Sequence, residues 1–100
     1  MSRVALLLTA GFCVSILLLA SDCSQAHVRS MEENNIGVEY YQKKLYPQAI
    51  EHLNRAITLD NDNERAHFNL AQVYIATGQW QDAARHLNRA IALNGEVADY

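Results

Sequence analysis

Cysteine, proline, glycine and serine are all scarce in this chain of 100 residues, and each scarcity excludes something. The two cysteines, Cys13 and Cys23, fall before residue 27, so a product cleaved after Ala26 has none and cannot form a disulfide. Beyond that point there is one serine, Ser30, and no Ser or Cys nucleophile stands beside a base. The four glycines form no phosphate loop, and no His-Glu-x-x-His occurs. Basic residues are in the minority, with a net charge of −3, so no positive face recommends itself for nucleic acid and no basic stripe for a membrane surface. An enzyme or metal protein is therefore only a remote alternative, and no cofactor is expected.

What is present falls into two parts. Met1-Ser2-Arg3 is short and basic, Val4–Ala20 is almost wholly apolar, and Ser21–Ala26 is small and polar. This is the pattern of a secretory signal with Ser24-Gln25-Ala26 as the cleavage site, which predicts an exported protein, periplasmic or secreted. Two alternatives keep the segment at the membrane. An uncleaved anchor is one, although 17 residues span only about 25 Å against a core of about 30 Å. Lipidation is the other: Leu19-Ala20-Ser21-Asp22-Cys23 resembles a bacterial lipobox, with Asp22 where that motif wants Gly, Ala or Ser. Residues 27–29 form a short polar lead-in.

The remainder is built on a repeat. His-Leu-Asn-Arg-Ala-Ile occurs as His52–Ile57 and again as His86–Ile91, an offset of 34 residues. The same offset matches Asn35 with Asn69, Tyr40 with Tyr74, Ala49 with Ala83 and Leu59 with Leu93. A fixed period of this length marks a stacked supersecondary unit. Within each unit apolar residues recur at three- and four-residue spacings: Ile36, Tyr40, then Ala49, Leu53, Ala56, Ile57, and their partners Leu70, Tyr74, then Ala83, Leu87, Ala90, Ile91. The spacing predicts four helices over 31–43, 47–59, 64–76 and 81–93. Gly78 suits a left-handed helix end, Pro47 the first turn of the following helix, and Asp60-Asn61-Asp62-Asn63 a turn between units. Units at 30–63 and 64–97 follow, with 98–100 as a tail or the start of a third.

The spaced set Ile36-Gly37, Tyr40, Tyr46, Ala49, Leu53, Ala56, Leu59 and its counterpart Leu70-Ala71, Tyr74, Gly78, Trp80, Ala83, Leu87, Ala90, Leu93 resembles that of the tetratricopeptide repeats. Lys44 departs from the family's Gly, Asn61 and Gly95 from its closing Pro, and Glu33 and His67 from its opening aromatic. The resemblance implies an all-α solenoid of two helix–turn–helix units that binds protein and is not an enzyme. Small residues at Gly37/Ala71, Ala49/Ala83 and Ala56/Ala90 allow close helix packing, while Tyr40/Tyr74 and Tyr46/Trp80 fill the space between units.

It also implies a site. In such repeats the first helices line a concave groove for a peptide or partner helix. Carried over, the groove positions are Met31, Asn34, Asn35, Val38, Tyr41 and Gln42, then Arg65, Phe68, Asn69, Gln72, Ile75 and Ala76. Val38, Tyr41, Phe68 and Ile75 make an apolar stripe flanked by amides, with Asn35 and Asn69 resembling the asparagines that hold a ligand backbone. The competing reading has Tyr41 and Ile75 packed against the neighbouring unit. A carboxylate clamp is not expected, since only Arg65 supplies a cation.

Other charged and titratable residues read as structural. His52, His86 and His67 are expected to be partly exposed polar positions; equivalent places on successive helices lie about 10 Å apart, too far to share one zinc. Glu32, Glu33 and Glu64 are expected to favour the positive ends of helices, and Glu51–Arg55 to pair along one. Leu87, Ile91 and Leu93 lie nearest the open end of the second unit, which raises self-association as an expectation.

Overall fold

The computed structural model describes the backbone of residues 2–95 and the side chains of residues 22–95. Four helices follow one another: α1 (Ser2–Gln42), α2 (Tyr46–Leu59), α3 (Glu64–Ala76) and α4 (Trp80–Leu93). α2, α3 and α4 start within one residue of expectation, and no strand occurs among the described residues. α1 differs. It does not begin near residue 31 but continues through the 27–29 lead-in, because no proline interrupts it and both ends of that lead-in are tied down. Its Ser30 hydroxyl donates to the Ala56 carbonyl at 2.7 Å, and the His27 ring meets the Asp60 carboxylate at 2.7 Å. That contact holds the Asp60 carboxyl below its ordinary range. Glu32 and Glu33 consequently lie inside a helix rather than at its start, which corrects their expected role, whereas Glu64 does open α3.

Among the residues with described side chains, no helix is long and apolar enough to cross a membrane; Val4–Ala20 lies outside them, as do positions 96–100.

Both intra-unit turns use one device. The Leu45 N–H donates to the Tyr40 carbonyl at 2.9 Å, and the Gln79 N–H to the Tyr74 carbonyl at 2.8 Å. Each bond closes over a residue in the left-handed region, Lys44 at φ 61° and Gly78 at φ 77°. A residue with a Cβ is strained there, so Lys44 holds its turn at a cost that Gly78 avoids. Pro47 sits in the first turn of α2, where its missing N–H has no partner to lose.

Each helix packs on its chain neighbour, and α1 also touches α3. The core is Ala49, Leu53, Leu70 and Val73, with Tyr40, Tyr41, Tyr46, Ile50, Ile57 and Tyr74 packed around it. Leu53 and Leu70 are fully buried, each contributing on the order of 1.5–3 kcal/mol. A Cβ on Gly37 would stand 2.6 Å from Leu53 Cγ and 3.3 Å from the Ala49 carbonyl oxygen, so α1 and α2 approach as closely as a bare backbone permits. Trp80 departs from its expected role between units. It is 65% exposed, because among the described residues no helix packs on α4 as α3 packs on α2.

A polar hub joins three helices. Asn63 caps α3 by accepting from the Ala66 N–H at 3.1 Å, and its amide donates to Ser30 Oγ at 2.9 Å. Ser30 in turn donates to α2, and no described buried side-chain polar atom is left unpartnered.

Two substitutions test these contacts. Gly37→Ala should lower stability by about 1–2 kcal/mol despite the helical preference for Ala, because enclosed Leu53 has nowhere to move. Lys44→Gly should raise it by about 0.5–1 kcal/mol. Thermal melts check both; a raised midpoint for Gly37→Ala would show that α1 and α2 have slack.

Candidate functional site

α1 and α3 are the first helices of the two units, and the expected groove residues lie along these two helices. Asn69 donates from its amide to Asn34 Oδ1 at 2.9 Å, a clasp that sets the two faces side by side. Asn34 is buried and Asn69 partly so, while Asn35 is exposed. The repeat equates Asn35 with Asn69, yet it is Asn34, the counterpart of Phe68, that meets Asn69. The two like-aligned asparagines are therefore not alike in space.

Beside that clasp α3 presents Arg65, Phe68 and Ile75, all exposed, with Gln72 partly buried between them. Phe68 is 45% and Ile75 43% exposed, a large fraction for apolar side chains on so small a chain. α1 contributes exposed Met31 and half-buried Val38, and Gln42 and Ala76 lie exposed at the far ends. Tyr41 is half-buried; its ring lies 6.0 Å from that of Tyr46 and packs on the core. Of the two readings of Tyr41 and Ile75, packing applies to Tyr41 and exposure to Ile75. The face is thus an apolar strip led by Phe68, with amides along its seam.

A second constellation lies between the helices of each unit, and sequence reasoning missed it. Glu33 Oε2 meets His52 Nδ1 at 2.7 Å in the first unit, with Tyr40 stacked on the imidazole at 5.3 Å. In the second, His67 Nδ1 meets His86 Nδ1 at 3.1 Å, with Tyr74 stacked on His86 at 5.7 Å. The four residues occupy equivalent positions in the 34-residue period, so the signal was present in the sequence as a recurring spacing of 19. His67 is not partly exposed as expected but buried, with 4% of its surface accessible. His52 and His86 each pair within their own unit, and no group of three or more metal-ligating side chains occurs among the described residues.

The protons of the histidine pair can be placed. His67 Nε2 lies 2.9 Å from the Asn61 carbonyl oxygen, which only accepts, so that nitrogen carries hydrogen. In the neutral ring Nδ1 is then the acceptor and His86 Nδ1–H the donor. A proton added to both rings sets two N–H groups against one another. Burial, then the His67 charge and the Arg85 guanidinium, hold His86 below the ordinary imidazole range, and Asp82 opposes them. Asp82 itself accepts from Arg85 at 3.1 Å, and Arg55 pairs with Glu51. Arg89 reaches Asp62 at 3.3 Å on the outer surface.

Residues 37–78 match the family model described as TPR repeat, and residues 64–96 the model described as Tetratricopeptide repeat. Together the matches cover more than half of the chain, and four helices in the expected order accompany them. The chain belongs to the tetratricopeptide-repeat family. No curated protein matches it. Tetratricopeptide repeats generally mediate binding between proteins and are typically not enzymes.

The histidine pair gives this tetratricopeptide-repeat protein a defined pH response. Unfolded His86 takes its proton near 6.5, and the folded ring only at lower pH. The unfolded chain therefore binds more protons in that window, and stability present at neutral pH is lost as pH falls through it. Thermal midpoints measured from about pH 7.5 to about pH 5.5 should fall more steeply for the native chain than for His86→Gln. Equal slopes would mean the pair contributes nothing to acid sensitivity.

Proposed function

We propose that this protein is an exported interaction module that takes a peptide or helix of a partner protein against the α1–α3 face. One observation carries the reading: Phe68 and Ile75 lie exposed on α3 beside the Asn34–Asn69 clasp. Large apolar side chains next to amides suit an occupant whose own apolar residues need anchors and whose backbone needs hydrogen-bond partners. Arg65 is the one exposed cation among the expected groove residues, so recognition rests on apolar contact more than on charge. Export is part of the proposal and is supported by the order of basic, apolar and small-residue segments in residues 1–26.

One feature favours a tethered variant of the same function. α1 runs without a break from Ser2 to Gln42, so a retained leader would join the first repeat as one stiff helix. A scaffold held at the cell envelope would gain fixed orientation from that continuity. Intact-mass measurement on protein from the native host separates the two: loss of residues 1–26 removes the anchor.

The groove is tested by a pair of variants. Phe68→Ala should weaken partner binding about thirtyfold, the equivalent of losing about 2 kcal/mol, and leave the melt unchanged. Tyr74→Ala should behave oppositely, costing about 3–5 kcal/mol of stability, since Tyr74 packs on the core and on His86. Titration of a partner captured from envelope extract, set beside thermal melts, gives both numbers. Unfolding by Phe68→Ala, with a normal melt for Tyr74→Ala, would invert the assignment.

A further inference from the structure

The contact between His27 and the turn joining the units does more than tie down α1. His27 Nδ1 lies 2.7 Å from Asp60 Oδ2, and both groups are held in place. Ser30, one helical turn beyond His27, is fully buried and donates to the Ala56 carbonyl, which fixes the backbone beneath the ring. Asp60 accepts from the Asp62 N–H on Oδ1 at 3.1 Å, leaving Oδ2 for the imidazole. The bond to His27 holds the Asp60 carboxyl below its ordinary range, so it is ionised at neutral pH. An imidazole nitrogen and a carboxylate oxygen thus face one another at a separation that metal ligands use.

Side chains alone stop at two donors, since no group of three metal-ligating side chains occurs among the described residues. Cleavage after Ala26 supplies the third, because it turns the His27 backbone N–H into a free α-amine. The amine and Nδ1 of one histidine close a six-membered ring around an ion by rotation of that side chain. The fold contributes Asp60. Donors at right angles about an ion, with bonds of about 2.0–2.1 Å, stand about 2.9 Å apart, so Nδ1 and Oδ2 need separate by only about 0.2 Å. The ion takes the place of the hydrogen between them, the ring keeps its hydrogen on Nε2, and the α-ammonium releases a proton. The His27 side chain is 62% exposed, so an ion reaches it without any opening of the structure. The Asp60 charge also offsets the positive end of a helix that begins at His27.

We propose that the processed chain binds one copper(II) ion through the His27 α-amine, His27 Nδ1 and Asp60 Oδ2, an inference that rests on cleavage after Ala26. The donors choose the metal. Two nitrogens and an oxygen in a tetragonal plane suit copper(II), which also stands highest in the affinity order of first-row divalent ions. A water completes the plane. Bound there, the ion links the start of α1 to the turn between units, and it stabilises the fold because the unfolded chain does not bring Asp60 to His27.

The test uses the chain purified from the native host's envelope, with its first residue read by intact mass. Copper(II) alone, titrated against a competing chelator, should bind with one equivalent, raise the thermal midpoint and show two nitrogen ligands in electron paramagnetic resonance. His27→Ala should weaken binding by about a hundredfold and Asp60→Asn by about tenfold, with melts of the metal-free variants unchanged. His86→Gln should leave binding unaltered, which separates the site from the other histidines. Acetylation at about pH 6.5, where the α-amine reacts ahead of Lys43 and Lys44, should abolish it. A first residue other than His27 overturns the proposal together with the cleavage reading. A chain that begins at His27 yet binds no copper overturns the proposal alone. So does binding indifferent to His27→Ala or to acetylation, and binding indifferent to Asp60→Asn reduces the site to a chelate that any terminal histidine makes, which also overturns it.

Discussion

Everything in this structure depends on how near α1 can come to α2. Gly37 leaves the backbone bare where Leu53 crosses, and the space a Cβ would need is already filled by that leucine. Leu53 is thereby enclosed on the α1 side and capped by Leu70 and Val73 on the α3 side. The second unit tolerates Ala71 at the same place because its crossing leucine, Leu87, is only half-enclosed and free to yield. A single hydrogen in place of a methyl group therefore positions two helices, and those two position the third. The α1–α3 face exists as a consequence.

Polar contacts fix what apolar packing leaves adjustable. Helices with small residues at their crossings can slide, and hydrophobic contact alone is non-directional. The chain from Asn63 through Ser30 to the Ala56 carbonyl pins the N-terminal end of α3 to both helices of the first unit. The Asn34–Asn69 bond pins the same helices nearer their middles. Both lie in surroundings where an unmade bond is costly, so each specifies register more than it adds stability. That register holds Phe68 and Ile75 outward while Leu70 and Val73 face in.

Duplication has given the two units the same architecture with different chemistry in one place. Glu33 and His52 can carry opposite charges, while His67 and His86 cannot both be charged without setting donor against donor. The difference in burial between Tyr46 and Trp80 has another origin: α3 packs against the face of α2 that carries Tyr46, and among the described residues no helix packs on the corresponding face of α4.

The 34-residue period, the helices α2 to α4, the left-handed Gly78, the placement of Pro47 and the Glu51–Arg55 pair were all legible in the sequence. Each depends on residues close along the chain, where spacing and backbone preference dictate the outcome. The family, too, was readable, because its packing set is local and occurs twice in phase. Tertiary structure alone decided the rest. It showed that α1 continues past its expected start, anchored by contacts from Ser30 and His27 to residues 26 and 33 positions away. It joined Asn69 to Asn34 rather than matching it with Asn35, buried His67 against His86, and left Trp80 in solvent. Those facts turn on which side chains meet across helices, and a one-residue change in helix phase is about 100° of rotation, beyond what periodicity can settle. Repetition in the sequence dictated the units; the packing of unequal neighbours decided what each repeated residue does.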